Sequence, residues 1–314
     1  MMDNQSRKKH NGVIVPMITP LNADYSIDSF SVSLLMKTFT NTDCSVFVLG
    51  TTGESTSIAE KDKTLLVKTA IEKADHMVSV YAGISGNCLE DSIANARLYS
   101  SLGTDAVVAH LPFYFPMQES HMIRYFEKLA DSIPCPLILY NNPITVKESI
   151  PVEVIEKLSY HPNIAGIKDS ERGMERLDQS LQRWSSREDF SYLLGWTAKS
   201  AYALGKGCDG IVPSTANLNP QLYHDLYAEA VAGHGERAEE LQQMSNRITD
   251  IYIKGRIISE SIPVLKVIMA EYGLCKTTVL PPLYEPDLSD QQKLRKEIRI
   301  ILQELSIQMH ASRS

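Results

Sequence analysis

The chain has 314 residues, 43% of them hydrophobic and 22% charged, with 31 basic residues against 38 acidic ones and a formal charge of −7. A chain of that size can bury a sizeable core, as one large barrel-type domain or as two ordinary ones, and its composition is that of a globular protein. The acidic balance, with no basic run beyond a short RKKH near the start, argues against a nucleic-acid surface, and no stretch of about 18 apolar residues signals a membrane span.

Residues 1–11 are polar and basic and lack the apolar centre of a signal peptide, so they read as a disordered or arm-like N-terminus. The five cysteines, Cys44, Cys88, Cys135, Cys208 and Cys275, are scattered and odd in number and never form CxxC. That spacing speaks against structural zinc and a disulfide framework and for a reducing compartment, so a cytoplasmic location is expected.

From Gly12 onward, short β-rich runs recur: GVIVPMI near 12, SVFVLG near 45, MVSVYAGI near 77, TDAVVAHLP near 104, PLILYNNP near 136, NIAGIKDS near 163, FSYLLGW near 190 and CDGIVPS near 208. Each is apolar without alternation, as a strand buried on both faces is. Amphipathic helical patterns lie between most of them. EKDKTLLVKTAIEKA follows the second run and opens on a capping-box pattern, Ser57 with Glu60 three residues on. LEDSIANARLYSSLG, HMIRYFEKLADSI, PVEVIEKLSYH and RLDQSLQRW follow the next four.

Strands alternating with helices in this way predict an α/β fold, a (β/α)8 TIM barrel over residues 12–230. A doubly wound open sheet is the alternative, but no GxGxxG follows the first strand. From about Asn219 the strand signal stops. PQLYHDLYAEAVAGH, ERAEELQQMSNRITDIYI, SIPVLKVIMAEYG and DQQKLRKEIRIILQEL read as long helices, and a C-terminal helical extension is expected over 231–314.

In such a barrel, catalytic groups stand at the C-terminal ends of the strands. That points to Thr51 and Thr52, His110 and Tyr114, Tyr140, Lys168 and Trp196. Lys168 raises the sharpest question, because an apolar strand delivers at its tip a residue seldom buried. With an ordinary pKa near 10.4, only about 1 lysine in 2,500 carries the free amine at pH 7. Burial can lower that pKa and make a nucleophile for a carbonyl. Taken alone, a strand-end lysine paired with Asp169 or reaching water is the commoner case.

Tyr140 can relay a proton or merely pack its ring. GTTGES, Gly50 to Ser55, is a strand-to-helix turn whose amides and hydroxyls suit a carboxylate or phosphate, although it is not a Walker loop. Phe113, Tyr114 and Phe115 stand in a row between prolines, as packing aromatics on the barrel or against another subunit do. The eight histidines are dispersed, no metal site is expected, and His110 alone reads as structural.

GTTGES, YNNP and GIKDS, in register at the ends of strands two, five and six, resemble the dihydrodipicolinate synthase and N-acetylneuraminate lyase family of class I aldolases. The resemblance extends from GVIVPMITPL through GIVPSTANLNP to the helical tail. It implies that Lys168 forms a Schiff base with pyruvate or another 2-oxo acid, without metal or cofactor. It further implies that Tyr140 shuttles the proton and that Thr51 links Tyr140 to Tyr114, which reaches into a neighbouring subunit of a homotetramer. Gly50, Thr51 and Thr52 would hold the substrate carboxylate, and the backbone around Val212 would line the floor.

Two departures bear on the substrate. Lysine-pathway synthases carry an arginine five residues after the strand-five tyrosine, where this chain has Thr145, so a bidentate contact to a second carboxylate is missing. Sialic acid lyases place acidic residues after the glycine of strand seven, where Gly195 is here followed by Trp196, Thr197 and Ala198. The pattern that remains is that of 2-keto-3-deoxy sugar acid aldolases and related dehydratases, with Trp196 narrowing the pocket or simply packing its wall. A 4-hydroxy-tetrahydrodipicolinate synthase is the second reading. A non-catalytic keto-acid sensor and a phosphate-binding barrel are the readings of another class.

Overall fold

The computed structural model of the chain describes residues 8–307. Eight strands pair in parallel and in chain order: β1 (Gly12–Pro16), β2 (Ser45–Val48), β3 (Val80–Gly83), β4 (Ala106–His110), β5 (Leu137–Asn141), β6 (Ile164–Asp169), β7 (Ser191–Leu194) and β8 (Gly210–Ile211). Pairing of β8 with β1 closes the barrel. Its crossovers carry helices α1 (Ser29–Asn41), α2 (Glu60–Ala74), α3 (Leu89–Leu102), α4 (Glu119–Ser132), the single turn α5 (Pro143–Val146), α6 (Val152–Leu158), α7 (Met174–Trp184) and α8 (Ser200–Leu204). Helix α9 (Pro220–Val231) follows β8 and packs on β1, while α10 (Gly235–Ile253), α11 (Ile258–Glu271) and α12 (Leu288–Glu304) pack on one another beyond it. The expected (β/α)8 barrel with a C-terminal helical part is the architecture observed.

Strands that are apolar throughout hide which residue faces where, and the closed barrel sorts them into two clusters. Val46, Val48, Leu137 and Leu139 face the helices, while Phe47, Val108, Ile138 and Leu193 fill the interior. Fully burying one such side chain is worth about 1.5–3 kcal/mol, so both faces of each strand contribute to stability.

Strand β6 breaks that alternation. Leu137 pairs with Ile164, but Ile138 pairs with Gly166, so Ala165 is an extra residue, a β-bulge. Ile164 belongs to the outer cluster. In a regular strand every second residue shares a face, which would turn Lys168 outward with Ile164. The bulge reverses the parity, and Lys168 instead pairs with Tyr140 on the inner face. Gly166 is required for the close fit, because a Cβ there would stand 2.5 Å from the Ser191 carbonyl oxygen.

Of the arm expected at 1–11, residues 1–7 lie outside the described residues. Lys8 Nζ donates to the Trp184 carbonyl (2.8 Å) and to Asp209 Oδ2 (2.9 Å), and His10 Nδ1 lies 3.0 Å from the Tyr81 hydroxyl. The capping box expected at Ser57 and Glu60 does not form: Ala59 stands at the N-cap of α2, with no side-chain cap. Ser57 ends a 3-10 turn, and Ile58, extended and buried, carries the chain onward before α2 begins at Glu60.

One ion pair ties the barrel mouth to the helices beyond it. Lys266 of α11 is fully buried, with Nζ 2.5 Å from Glu54 Oε1, and it donates to the Thr278 carbonyl at 2.8 Å. The Leu280 amide donates to Glu54 Oε2 at 2.7 Å. Glu54 thereby anchors the turn that follows β2.

Candidate active site

The strand register places His110, Tyr140, Lys168 and Leu193 side by side across β4 to β7, near the C-terminal ends of the strands. Lys168 is 6% exposed, and its Nζ lies 3.9 Å from the centroid of the Tyr140 ring and 4.7 Å from that of Phe47. No carboxylate forms an ion pair with it among the described residues. Asp169, suggested by the sequence as a partner, points to the opposite face of the strand and pairs with Arg176 Nε at 2.8 Å. Burial lowers the Lys168 pKa, against the opposing pull of the Tyr140 phenol. Desolvation disfavours the ammonium, and the two ring faces offset only part of that cost. The amine is therefore easier to deprotonate than a surface lysine.

The Tyr140 hydroxyl stands 3.3 Å from Thr51 Oγ1. It also accepts a hydrogen bond from Asn142 Nδ2 at 3.0 Å, and the same amide reaches Thr51 Oγ1 at 3.4 Å. Burial pushes the Tyr140 pKa up, but the Lys168 charge and hydrogen bonds with Thr51, Lys168 and Ser170 together outweigh it, and the phenol lies below its usual range. The lysine amine and the tyrosine phenol are thus drawn toward each other in proton affinity, as an acid–base pair requires. His110, whose Nδ1 is 2.6 Å from the Leu111 carbonyl, lies 6.2 Å from the Tyr140 ring centroid to centroid. Burial lowers its pKa too.

The turn after β2 is held in place from behind. The Gly53 and Ser55 amides donate to the Gly50 carbonyl, and Glu54 N donates to the Thr51 carbonyl. Thr19 Oγ1 donates to the Gly53 carbonyl at 2.6 Å, and a Cβ on Gly53 would stand 2.9 Å from the Met17 carbonyl oxygen. The amides of Thr51 and Thr52 donate to no acceptor among the described residues. Both residues are half-buried. Free amides beside a hydroxyl make a cradle for an anion.

Val212 faces the inner cluster, with its amide bonded to the Leu194 carbonyl at 2.8 Å. A Cβ on Gly195 would stand 2.1 Å from Ser170 Oγ and 3.1 Å from the Asp169 carbonyl oxygen, so a larger residue there would have to turn the Ser170 hydroxyl away. Thr145 lies in α5, its hydroxyl bonded to the Asn142 carbonyl at 3.1 Å. Trp196 packs on the outer cluster rather than on the inner one around Lys168. Tyr114 is 84% exposed and has φ of +95°, and its ring meets Phe115 edge-on at 5.0 Å. Within the single chain it makes no hydrogen bond to Thr51. Among the described residues, no group of three or more His, Cys, Asp or Glu side chains gathers in a way that could hold a metal.

Sequence reasoning missed Asn142 and the buttress behind β5 and β6. Asn141 Nδ2 donates to Asp169 Oδ1 and to Glu171 Oε2, both at 2.9 Å, and its Oδ1 accepts from the Ile150 amide at 3.0 Å. The only available signal was YNNP itself, two amides beside a strand-end phenol, one for each face.

A closed (β/α)8 barrel with a buried lysine beside a phenol at its mouth, and no carboxylate on that lysine among the described residues, has the frame of an aldolase barrel. The sequence model of the dihydrodipicolinate synthetase family matches residues 9–301, and the chain belongs to that family, whose members are lyases of the class I pyruvate-aldolase type. It is 30% identical to a 4-hydroxy-tetrahydrodipicolinate synthase of Pseudoalteromonas atlantica, over 92% of this chain and 97% of the relative. Similar solved structures include the dihydrodipicolinate synthase of Bacteroides thetaiotaomicron (29% identity, TM-score 0.88, 94% of this chain and 99% of that one). Another is YagE, a prophage protein of E. coli K12 solved with pyruvate (26% identity, TM-score 0.87, 96% of this chain and 100% of that one).

Proposed function

We propose that this lyase forms a Schiff base between Lys168 and pyruvate or a 2-keto-3-deoxy sugar acid, and makes or breaks the C3–C4 bond, one carbon removed from the imine. The observation that carries the proposal is the buried Lys168 amine, beside Tyr140 and without a carboxylate partner among the described residues. The free amine adds to the keto carbon. A C–N bond forms, the carbonyl oxygen is protonated and leaves as water, and the protonated imine can accept the electrons of the C3–C4 bond. In cleavage, Tyr140 takes the proton of the hydroxyl on C4. The C3–C4 bond breaks, its electrons form the enamine, and an aldehyde departs; protonation at C3 returns the imine, and water then breaks the C–N bond to release pyruvate and the Lys168 amine. Condensation is the reverse. The amides of Thr51 and Thr52 hold the carboxylate, and Val212 lines the floor of the site.

Thr145 supports a sugar-acid substrate, since its neutral hydroxyl replaces a bidentate cation at that position, and Lys147, the cation that closes the turn, donates instead to the Ile144 carbonyl at 3.0 Å. The second reading, 4-hydroxy-tetrahydrodipicolinate synthase, is favoured by the activity for which the Pseudoalteromonas relative is named. Assays of cleavage with 2-keto-3-deoxy sugar acids, and of condensation between pyruvate and aspartate semialdehyde, separate the two. A homotetramer in the cytoplasm completes the proposal. The exposed Phe113, Tyr114 and Phe115 suit a subunit contact, and five free cysteines suit a reducing compartment. A variant that dissociates to monomers is expected to keep imine formation and lose turnover; fully active monomers would remove Tyr114 from the site.

The decisive experiment is borohydride trapping with pyruvate, followed by peptide mass spectrometry. An adduct at Lys168 that disappears in Lys168→Ala supports the mechanism, and no adduct with pyruvate or longer 2-oxo acids leaves the keto-acid sensor in its place. Tyr140→Phe is expected to retain the adduct while kcat falls by roughly 10²–10⁴-fold, the usual contribution of a positioned proton donor.

A further inference from the structure

Asn142 stands at the N-cap of α5, immediately before Pro143, with φ −146° and ψ 75°. An asparagine there normally turns its side chain back to accept from an amide of the first helical turn. Asn219 does so: it also precedes a proline, has φ −142° and ψ 84°, and accepts from the Leu222 amide at 3.2 Å. Asn142 shares that backbone and makes no cap bond. Its amide, 4% exposed, turns into the barrel mouth and bonds the Tyr140 and Thr51 hydroxyls at 3.0 and 3.4 Å.

We infer that Asn142 is a positioning residue for the proton relay: its amide N–H donates to the Tyr140 oxygen, stabilises the phenolate and directs the phenol's own proton toward Thr51 or the substrate. A hydroxyl that receives a donor on one lone pair is fixed in rotation, and a buried donor favours the charged form of its acceptor. The titratable groups that face Tyr140 are Lys168 from β6 and His110 from β4, with Tyr81 of β3 deeper in the same cluster and bonded to His10. Lys168 acts on the phenol first through its charge. Asn142 supplies direction without charge, and it does so at the cost of a helix cap.

The role in turnover rests on the function proposed above, but the first measurement does not. Tyrosine labelled with 13C at Cζ, assigned by loss of one resonance in Tyr140→Phe, reports the Tyr140 titration in the absence of any substrate. Asn142→Leu, similar in shape and without a donor, is expected to raise its midpoint by roughly 1–2 pH units, the equivalent of one hydrogen bond to a charged acceptor. Asn142→Asp, which places a carboxylate beside the phenol, is expected to raise it further. An unchanged midpoint in both variants overturns the inference. So does a fall, which would mean that the amide presents its oxygen to the phenol. In a second arm, borohydride trapping of the Asn142→Leu variant with pyruvate is expected to label Lys168 as in the wild type. Failure of the wild type to label counts against the proposed function alone.

Discussion

Two lysines are buried among the described residues, and they solve the same problem in opposite ways. Lys266 is held by Glu54 at 2.5 Å and by the Thr278 carbonyl, so its charge is matched and immobile. Lys168 has two aromatic faces, a phenol and no carboxylate partner, and burial lowers its pKa. A matched charge builds structure, and an unmatched one is poised to lose its proton. The two are linked, since Glu54 belongs to the turn that presents Thr51 to Tyr140.

The largest expected effect that sharpens this contrast is on Lys266. Lys266→Met leaves Glu54 buried without its partner and is expected to destabilise the fold by about 3–5 kcal/mol, as loss of one member of a buried pair does. A urea unfolding midpoint close to that of the wild type would break the comparison. Combining it with Glu54→Leu removes both charges, and the double variant is expected to recover most of the loss, because apolar groups of similar volume can replace a buried pair.

The smallest effect is on Lys168. Its pKa is depressed in the folded chain and near 10.4 in the unfolded one. Between those values the unfolded chain holds a proton that the folded chain has released, so stability rises with pH across that window. Below the folded pKa the penalty is full, and above the unfolded pKa it is gone. Each pH unit of depression corresponds to about 1.4 kcal/mol. Lys168→Met is expected to flatten that slope and to be the more stable protein at neutral pH, as read from unfolding curves between pH 7 and 10. An identical slope in the variant would show that Lys168 is not the titrating group.

Much of this molecule was legible in its residues. Eight apolar runs separated by amphipathic patterns leave few ways to bury both faces of every strand, and the barrel follows. Lys168, Tyr140 and Thr51 were visible because reactive groups at strand ends stand out against apolar neighbours, and the structure gathers them. The Ser57 capping box was misread, because a two-residue offset around Ile58 leaves the same letters in place. Trp196 lies on the outer cluster, which strand-end position alone does not reveal.

By itself the sequence determined the parallel strands, their order, and the identity of the amine and phenol, since those depend on local pattern and chemistry. Only the tertiary structure decided which way they face. Parity along an all-apolar strand is invisible until neighbours set the register, and one extra residue, Ala165, is what turns Lys168 from the helices into the barrel. The same holds for Asn142 and Asn219: two Asn–Pro dipeptides with one backbone conformation send their side-chain amides to different partners, one to the Tyr140 and Thr51 hydroxyls and the other to the Leu222 amide.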